Sequence, residues 1–172
     1  YSEIPYGWSD GFQTSSPSST NNKFKGCRAW ANSDDGWDFR LHDGSVILES
    51  CWAFRNGFKP NTWEHGGNGE GFKLGIKRLP STVSVLRTVV NCLAFDNYST
   101  GFHSSTIASY GTFRSILHNN TAFRNGVPGN YPGFNFQQPE VENILKNNIS
   151  YKNPSDFVYP FNINTNNSWN KG

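Results

Sequence analysis

The stretch GCRAWANSDDGWD, from Gly26 to Asp38, decides the fold, because its first seven residues recur along the chain. The later copies are SCWAFRN from Ser50, NCLAFDN from Asn91, NNTAFRN from Asn119 and NNISYKN from Asn147. Five copies in 172 residues identify an internal structural repeat. Its equivalent positions hold Cys27, Cys51, Cys92, Asn120 and Asn148, then Trp30, Phe54, Phe95, Phe123 and Tyr151, then Asn32, Asn56, Asn97, Asn125 and Asn153.

A second motif, Gly-aromatic-x, follows each copy of the first. Its aromatic residues are Phe12, Trp37, Phe72, Phe102 and Phe134, with Phe157 in a degenerate last copy, at spacings of 25, 35, 30, 32 and 23 residues. Short constant segments separated by variable lengths are typical of a solenoid with loop insertions.

The repeated segments have the composition of strands rather than helices. Ser45 to Leu48 and Val83 to Val90 are short, rich in β-branched residues and bounded by Gly, Asn and Pro, with no helical spacing of apolar residues. The sequence therefore predicts an all-β solenoid, a parallel β-helix. In such a fold equivalent side chains stack about 4.8 Å apart. We expect the aromatic positions, Phe54 and Phe95 among them, and the cysteines to form the core, with free thiols and a structural Asn ladder.

Composition limits the partners and the setting. The net charge is +2 and no basic block occurs, which argues against nucleic acid and membrane surfaces. No apolar run approaches the roughly 18 residues that span a bilayer. Residues 1–172 form one domain in this interpretation, a fragment that lacks N-terminal coils or a cap, since the chain opens at Tyr1 without Met. Abundant Gly, Asn, Ser, Thr and aromatic residues with only 16% charged residues are typical of secreted β-rich proteins, so we expect an extracellular location. We also expect a monomer.

Chemistry is expected where the repeat is interrupted by charged residues. The position after each Gly-aromatic pair holds Gln13, Asp38, Lys73, His103 and Asn135. Because strand side chains alternate, these residues point away from the aromatic core and toward solvent. They form one column on an outer face.

Acidic residues cluster beside this column. Asp34, Asp35 and Asp38 lie within five residues, and Asp10 precedes Asp35 by the 25-residue spacing of one coil. Such carboxylates repel one another unless a cation holds them together, and Ca²⁺ accepts several oxygen ligands in irregular geometry. An EF-hand is rejected, because no Glu stands at its twelfth position. The alternative is a set of solvated Asp-Gly turns.

Lys73 lies one coil beyond Asp38, in the segment GNGEGFKLG that starts at Gly67. This segment lacks P-loop spacing and is not a phosphate site. A bound cation nearby would lower the lysine pKa and create a usable base. The alternative is an ordinary solvated lysine.

The motifs SDGF at Ser9, GCRAWANSDDGWD, SCWAFRNG, GNGEGFKLG and NCLAFDN resemble polysaccharide lyase family 9, the pectate lyases with a right-handed parallel β-helix. The resemblance implies that Asp10, Asp34, Asp35 and Asp38 hold calcium and that Lys73 is the catalytic base. It also implies β-elimination on polygalacturonate, or on rhamnogalacturonan in some members. Glu70 stands where members commonly have Asn.

On this interpretation His103, Arg40 and Lys77 bind neighbouring carboxylates of an acidic polysaccharide. Two alternatives stay open. One is a glycoside hydrolase that uses Asp34 or Asp38 as paired carboxylates. The other is a non-catalytic β-helix that binds carbohydrate and holds structural calcium.

Overall fold

The computed structural model describes residues 7–15, 21–75, 85–104, 113–136, 142–158 and 162–170. These residues form 17 short strands in three sheets. Sheet A contains β1 (Phe12–Gln13), β4 (Trp37–Asp38), β7 (Phe72–Lys73), β10 (Phe102–His103), β13 (Phe134–Phe136) and β16 (Phe157–Val158). Sheet B contains β2 (Asn22–Lys25), β5 (Val46–Glu49), β8 (Leu86–Val90), β11 (Arg114–His118), β14 (Ile144–Lys146) and β17 (Ile163–Thr165). Sheet C contains β3 (Arg28–Trp30), β6 (Trp52–Phe54), β9 (Leu93–Phe95), β12 (Thr121–Phe123) and β15 (Ile149–Tyr151).

Five successive coils, from β2 to β16, each contribute one strand to sheet B, one to sheet C and one to sheet A, and neighbouring coils pair in parallel. The fold is a right-handed parallel β-helix, as predicted. The Gly-aromatic positions are register partners from Phe12 to Trp37 and onward to Phe134. Within the described ranges, no helix is long and apolar enough to cross a membrane.

The core is filled from sheet A by large aromatic rings and from sheet C by alanines. Trp37, Phe72, Phe102 and Phe134 are fully buried and stack in sequence, with centroids 5.8, 4.9 and 4.9 Å apart. The inward residues of sheet C are Ala29, Ala53, Ala94 and Ala122. Cys51 and Cys92 are buried, Cys27 is half-buried, and all three are free thiols, as expected.

The prediction that Phe54 and Phe95 belong to the core is wrong. Both are half-buried on the outer face of sheet C, where their rings stack on each other at 4.7 Å. The two ends of this ring column, Trp30 and Tyr151, are 56% and 57% exposed. The reason is the pleat: in each three-residue strand the central Ala points inward, so the aromatic residue beside it points outward.

The Asn ladder is structural, as predicted. The side-chain amide of each Asn donates to the carboxamide oxygen of the next, from Asn32 through Asn56, Asn97 and Asn125 to Asn153. One register expectation is corrected at the last coil. Phe157 pairs with Asn135 rather than with Phe134, so β16 is shifted by one residue.

A buried arginine holds together two backbone segments that follow strands of sheet A. Arg87 points inward from β8, and its Nε donates to the carbonyl of Leu74 at 2.9 Å. Its two other nitrogens donate to the carbonyls of Gly44 and His42. Burial lowers the pKa of Arg87 to about 10, so it stays charged at neutral pH. The bonds satisfy a buried charge and tie the end of β7 to the turn after β4.

Candidate metal and catalytic site

The outer column of sheet A is formed as the repeat predicted. Register pairs join Gln13 to Asp38, Asp38 to Lys73, Lys73 to His103 and His103 to Asn135. The column is nevertheless not a solvated face, and the expectation that Lys73 points freely into solvent is wrong. Asp38 and Lys73 are 5% and 6% exposed. Their charged groups pair with each other, and Lys73 also pairs with Asp35 of the preceding acidic turn.

Three carboxylates converge at one edge of this column. Ligand oxygens of Asp10, Asp34 and Asp35 lie within 4.8 Å of one another. The turn between β3 and β4 carries Asp34 and Asp35, and Asp10 precedes β1 on the neighbouring coil. The backbone N–H of Asp35 donates to Asp10 Oδ1 at 3.0 Å, so the two coils are locked at this point. Asp10 and Asp35 are thus neighbours, the arrangement indicated by their spacing.

Asp38, the fourth aspartate, lies apart from this group. Its Oδ1 accepts the backbone N–H of Arg40 at 2.5 Å, and its Oδ2 lies 3.3 Å from Lys73 Nζ. It lines the same cleft as Asp10 and Asp34. The structure therefore brings three of the four predicted ligands together and places the fourth beside the lysine.

Backbone amides from the segment before β7 orient two of the carboxylates. The N–H of Asn68 donates to Asp34 Oδ1 at 2.5 Å, and the N–H of Glu70 donates to Asp35 Oδ1 at 2.7 Å. Gly67 lies against Asp34 so closely that an added Cβ would be 2.5 Å from Asp34 Oδ1. Only glycine fits there without moving the carboxylate.

Lys73 is held by three acidic groups. Its Nζ lies 2.7 Å from Asp35 Oδ2, 3.3 Å from Asp38 Oδ2 and 3.9 Å from Glu70 Oε2. Burial by itself lowers the pKa of Lys73, but the charges of Asp35, Glu70 and Asp38 outweigh it and raise the pKa above its usual value. A neutral amine at this position therefore requires another cation that neutralises these carboxylates.

Glu70 links Lys73 to His103. Its Oε1 is hydrogen-bonded to His103 Nδ1 at 3.0 Å. Burial by itself raises the pKa of Glu70, but the hydrogen bond from His103 and the charges of His103 and Lys73 outweigh it and bring the pKa down to about 2. His103, predicted to bind substrate, is thus engaged with a carboxylate of the protein. Glu70 extends the acidic group beyond the predicted aspartates.

Ionising all three aspartates of the cluster at once is energetically unfavourable, and their pKa values are raised. Burial, followed by the charge of Asp38, raises the pKa of Asp10 to about 6. Burial also raises the pKa values of Asp34 and Asp35, and the charge of Glu70 adds to the effect at Asp35. A clustered set of hard oxygen donors in this state fits a divalent cation such as Ca²⁺, which would compensate the repulsion.

An open cleft of about 340 Å³ gives access to these groups. Its lining residues are Gly7, Trp8, Asp10, Gln13, Asp34, Asp38, Arg40, His65, Gly66, Gly67, Asn68 and Lys73. Arg40, predicted to bind substrate, is exposed at this cleft, whereas Lys77 lies outside the described residues. Sequence reasoning missed Trp8 and the wall formed by His65 to Asn68. The 35-residue spacing between Trp37 and Phe72, the longest of the five, was the available signal for that wall.

The fold and the site together define a parallel β-helix with a cluster of carboxylates next to a lysine on its outer face. The family profile described as "Pel9A-like, right handed beta helix region" matches residues 2–148. The chain belongs to this family.

Its relatives include pectate lyase L of Dickeya dadantii, which is 38% identical over 144 residues. That alignment covers 82% of this chain and 31% of the relative. Among solved structures, pectate lyase Pel9A matches with a TM-score of 0.74 and 29% identity, over 99% of this chain and 40% of that one. A rhamnogalacturonan lyase matches with a TM-score of 0.73 and 28% identity, over 95% and 44%. The chain thus spans less than half the length of these proteins.

Proposed function

We propose that this chain carries the active site of a calcium-dependent polysaccharide lyase that cleaves pectate, or a related uronate polymer, by β-elimination. One observation supports this above the others: an amine, Lys73 Nζ, lies beside a cluster of carboxylates that opens into a cleft. The relatives named pectate lyase and rhamnogalacturonan lyase agree with a uronate-containing substrate.

The reaction needs a base and a group that stabilises negative charge. The hydrogen at C5 of a uronate, next to the carboxylate, is weakly acidic, and its removal places negative charge on that carboxylate. Calcium bound by Asp10, Asp34 and Asp35 would stabilise this charge. Lys73 in its neutral form would take the C5 proton. The C5–H electron pair then forms the C4–C5 double bond, the C4–O4 bond breaks, and O4 leaves with a proton from solvent.

Two further residues have defined positions for this reaction. Asp38 Oδ2 lies 3.3 Å from Lys73 Nζ, so it can orient the amine. Asp38 also lines the same cleft as Asp10 and Asp34, where it can complete the ion's ligands. Arg40 is exposed in the cleft, where its guanidinium can pair with the carboxylate of an adjacent sugar. We also propose an extracellular location, because a polymer of this kind is too large to enter a cell.

The hydrolase alternative is less well supported by the geometry. A pair of hydrolytic carboxyl groups flanks the bond at about 5 Å or more and needs one group free to donate a proton. Here the oxygens of Asp10, Asp34 and Asp35 are gathered within 4.8 Å of one another, and Asp35 and Asp38 are paired with Lys73. This arrangement suits ion ligands better than an acid–base pair.

The test is release of ultraviolet-absorbing unsaturated product from polygalacturonate by the protein, first in chelator and then with Ca²⁺ restored. We expect product only with calcium, and at least about 100-fold less from Lys73→Met. Saturated reducing ends would support the hydrolase. Calcium-dependent binding of the polymer without any shortening would support the non-catalytic alternative.

A further inference from the structure

A row of turn residues leads out of sheet C with backbone in the left-handed region. These residues, here called the turn column, are Ala31, Arg55, Asp96, Arg124 and Lys152, with φ angles of 54°, 55°, 54°, 51° and 56°. Left-handed backbone suits Gly and Asn and costs other residues conformational energy. Three of these five positions nevertheless hold Arg or Lys.

A second row of turns, those that lead into sheet C, has the same left-handed backbone but different residues. The turn that leads into sheet C is also left-handed, with φ between 55° and 65°, and it holds Gly26, Ser50, Asn91, Asn119 and Asn147. Four of these five residues are of the types that tolerate this conformation best. The chain therefore uses Gly and Asn where only the turn is needed. The presence of Arg and Lys at strained positions indicates that their charge or reach is required.

The three cations are exposed, and their guanidinium or ammonium groups lie along neighbouring rings. Arg124 lies 4.5 Å from the ring centroid of Phe123, Arg55 lies 4.4 Å from that of Trp63, and Lys152 lies 5.2 Å from that of Tyr151. The single anion of the column, Asp96, pairs with Arg124 at 2.7 Å. Three cations and one anion give the column a net charge of +2, as large as the net charge of the whole chain.

An apolar column runs parallel to these charges. The outward rings of sheet C are those of Trp30, Phe54, Phe95, Phe123 and Tyr151. The stacked pairs Trp30–Phe54, Phe54–Phe95 and Phe123–Tyr151 are within 11° of parallel. In these pairs the rings cover one another's faces, and Arg124 and Lys152 lie over the rings of Phe123 and Tyr151. The column therefore presents mainly ring edges to solvent. The two columns together form a narrow strip in which apolar ring edges lie next to cations.

We propose that this strip binds a chain of acidic polysaccharide, as a second binding surface separate from the cleft. The assignment of the ligand class rests on the proposed function. Successive coils lie about 4.8 Å apart, a distance similar to the length of one pyranose ring along a polymer. A linear uronate chain laid along the strip can thus place carboxylates at the cations and C–H groups against the ring edges. A strip one residue wide does not offer the broad basic surface that a nucleic acid duplex contacts.

One turn of the strip continues along the chain into a loop that lines the cleft. The turn that carries Arg55 leads directly into the loop formed by residues 57–68, and His65 to Asn68 of that loop line the cleft. A polymer held on the strip is therefore retained beside the cleft without occupying it. Such a surface would raise the local concentration of polymer and would not alter the chemical step.

The test uses a triple variant, Arg55→Asn/Arg124→Asn/Lys152→Asn, because Asn suits the left-handed turn. Binding to polygalacturonate is measured in chelator and low salt, which removes the contribution of the ion site. We expect about a tenfold loss of affinity, the sum of three exposed charge contacts, with an unchanged or higher melting temperature. Activity on short oligogalacturonates should be unchanged. Unchanged affinity, or a melting temperature lowered by several degrees, would overturn the proposal, since the cations would then be dispensable for binding or structural.

A gain of binding provides the complementary test. Asp96→Asn removes the one anion of the strip and releases Arg124, so this variant should bind polygalacturonate more tightly than the parent. Fully methyl-esterified pectin, which lacks the carboxylates, should bind weakly to both. Equal affinity for single-stranded DNA would overturn the polysaccharide assignment. Unsaturated product is scored separately: its absence in every variant would refute the proposed function while leaving the binding result to decide the strip.

Discussion

The amine of Lys73 and the carboxylate of Asp35 form a buried ion pair, with 2.7 Å between Nζ and Oδ2. Asp35 also belongs to the carboxylate cluster with Asp10 and Asp34. The lysine and a metal ion would therefore share a ligand. An ion bound at the cluster would offset the negative charge that acts on Lys73 and would lower its pKa. Calcium binding would thereby increase the fraction of Lys73 that is neutral.

Replacement of Lys73 by Met separates catalysis from stability. Elimination should fall about 100-fold or more, the effect expected for loss of a general base. The calcium-free variant should lose about 3 kcal/mol of stability, because a buried ion pair loses its cation. Calcium affinity should rise, since the competing charge is gone. Product release, thermal melts and calorimetry measure the three effects, with exposed Lys146→Met as the control. More than a tenth of parental activity in Lys73→Met would refute its role as base.

Removal of one carboxylate of the cluster should weaken calcium binding steeply. In Asp35→Ala the ion loses a ligand and Lys73 loses its nearest partner, so we expect at least a tenfold rise in the dissociation constant. Calorimetric titration of calcium measures it. Glu64→Ala, an exposed carboxylate of the 57–68 loop, is the matched control and should bind calcium like the parent. Equal affinities for Asp35→Ala and the parent would refute the site.

Calcium affinity should depend on pH near 6. The pKa of Asp10 is raised to about 6, so protons compete with the ion as the pH falls through that value. Without calcium, the stability of the fold should instead increase as the pH falls. A carboxyl whose pKa is higher folded than unfolded adds stability that is lost as the pH rises from about 4 to 6. Melting in chelator should therefore be higher at pH 5 than at pH 7. In Asp10→Asn both dependences should become shallower; unchanged slopes would show that Asp10 is not the titrating group.

Replacement of Glu70 by Asn should move the acid limb of activity to lower pH. Glu70 Oε2 lies 3.9 Å from Lys73 Nζ, and its charge raises the pKa of the amine. Activity that needs neutral Lys73 rises with pH, so a lower pKa shifts the limb downward. A pH profile of elimination at saturating calcium measures the shift. His103→Gln, which keeps Glu70, serves as a comparison. A limb that stays in place, or moves upward, would refute the coupling.

The two columns of aromatic residues should differ in their effect on stability. Phe102 is fully buried, so Phe102→Ala should cost about 3 to 5 kcal/mol. Phe95 is half-buried on the outer face, and Phe95→Ala should cost about half as much or less. Urea unfolding of the two variants makes the comparison. A larger loss for Phe95→Ala would mean that the outer column contributes more than its burial indicates.

Much of the fold and part of the site follow from the repeat. The 25-residue spacing that joins Phe12 to Trp37 also sets Asp10 beside Asp35, and the next interval sets Lys73 beside Asp38. Parallel strands in successive coils pair residue by residue, so a recurring motif specifies its own register. At the last coil the motif is degenerate, and the register prediction for Phe157 was wrong by one residue.

The sequence by itself determined the parallel β-helix, its register in all but the last coil, and which charged residues share a column. Only the tertiary structure decided which residues face inward on sheet C, because alternation specifies two faces without saying which one encloses the core. It also decided the pKa of Lys73, which depends on burial and on the charge of Asp35. The register partner of Lys73 is Asp38, and Asp35 lies three residues before it in the sequence. The energy of two charges depends on the distance between them in the folded structure. A local sequence pattern does not give that distance for residues on different coils.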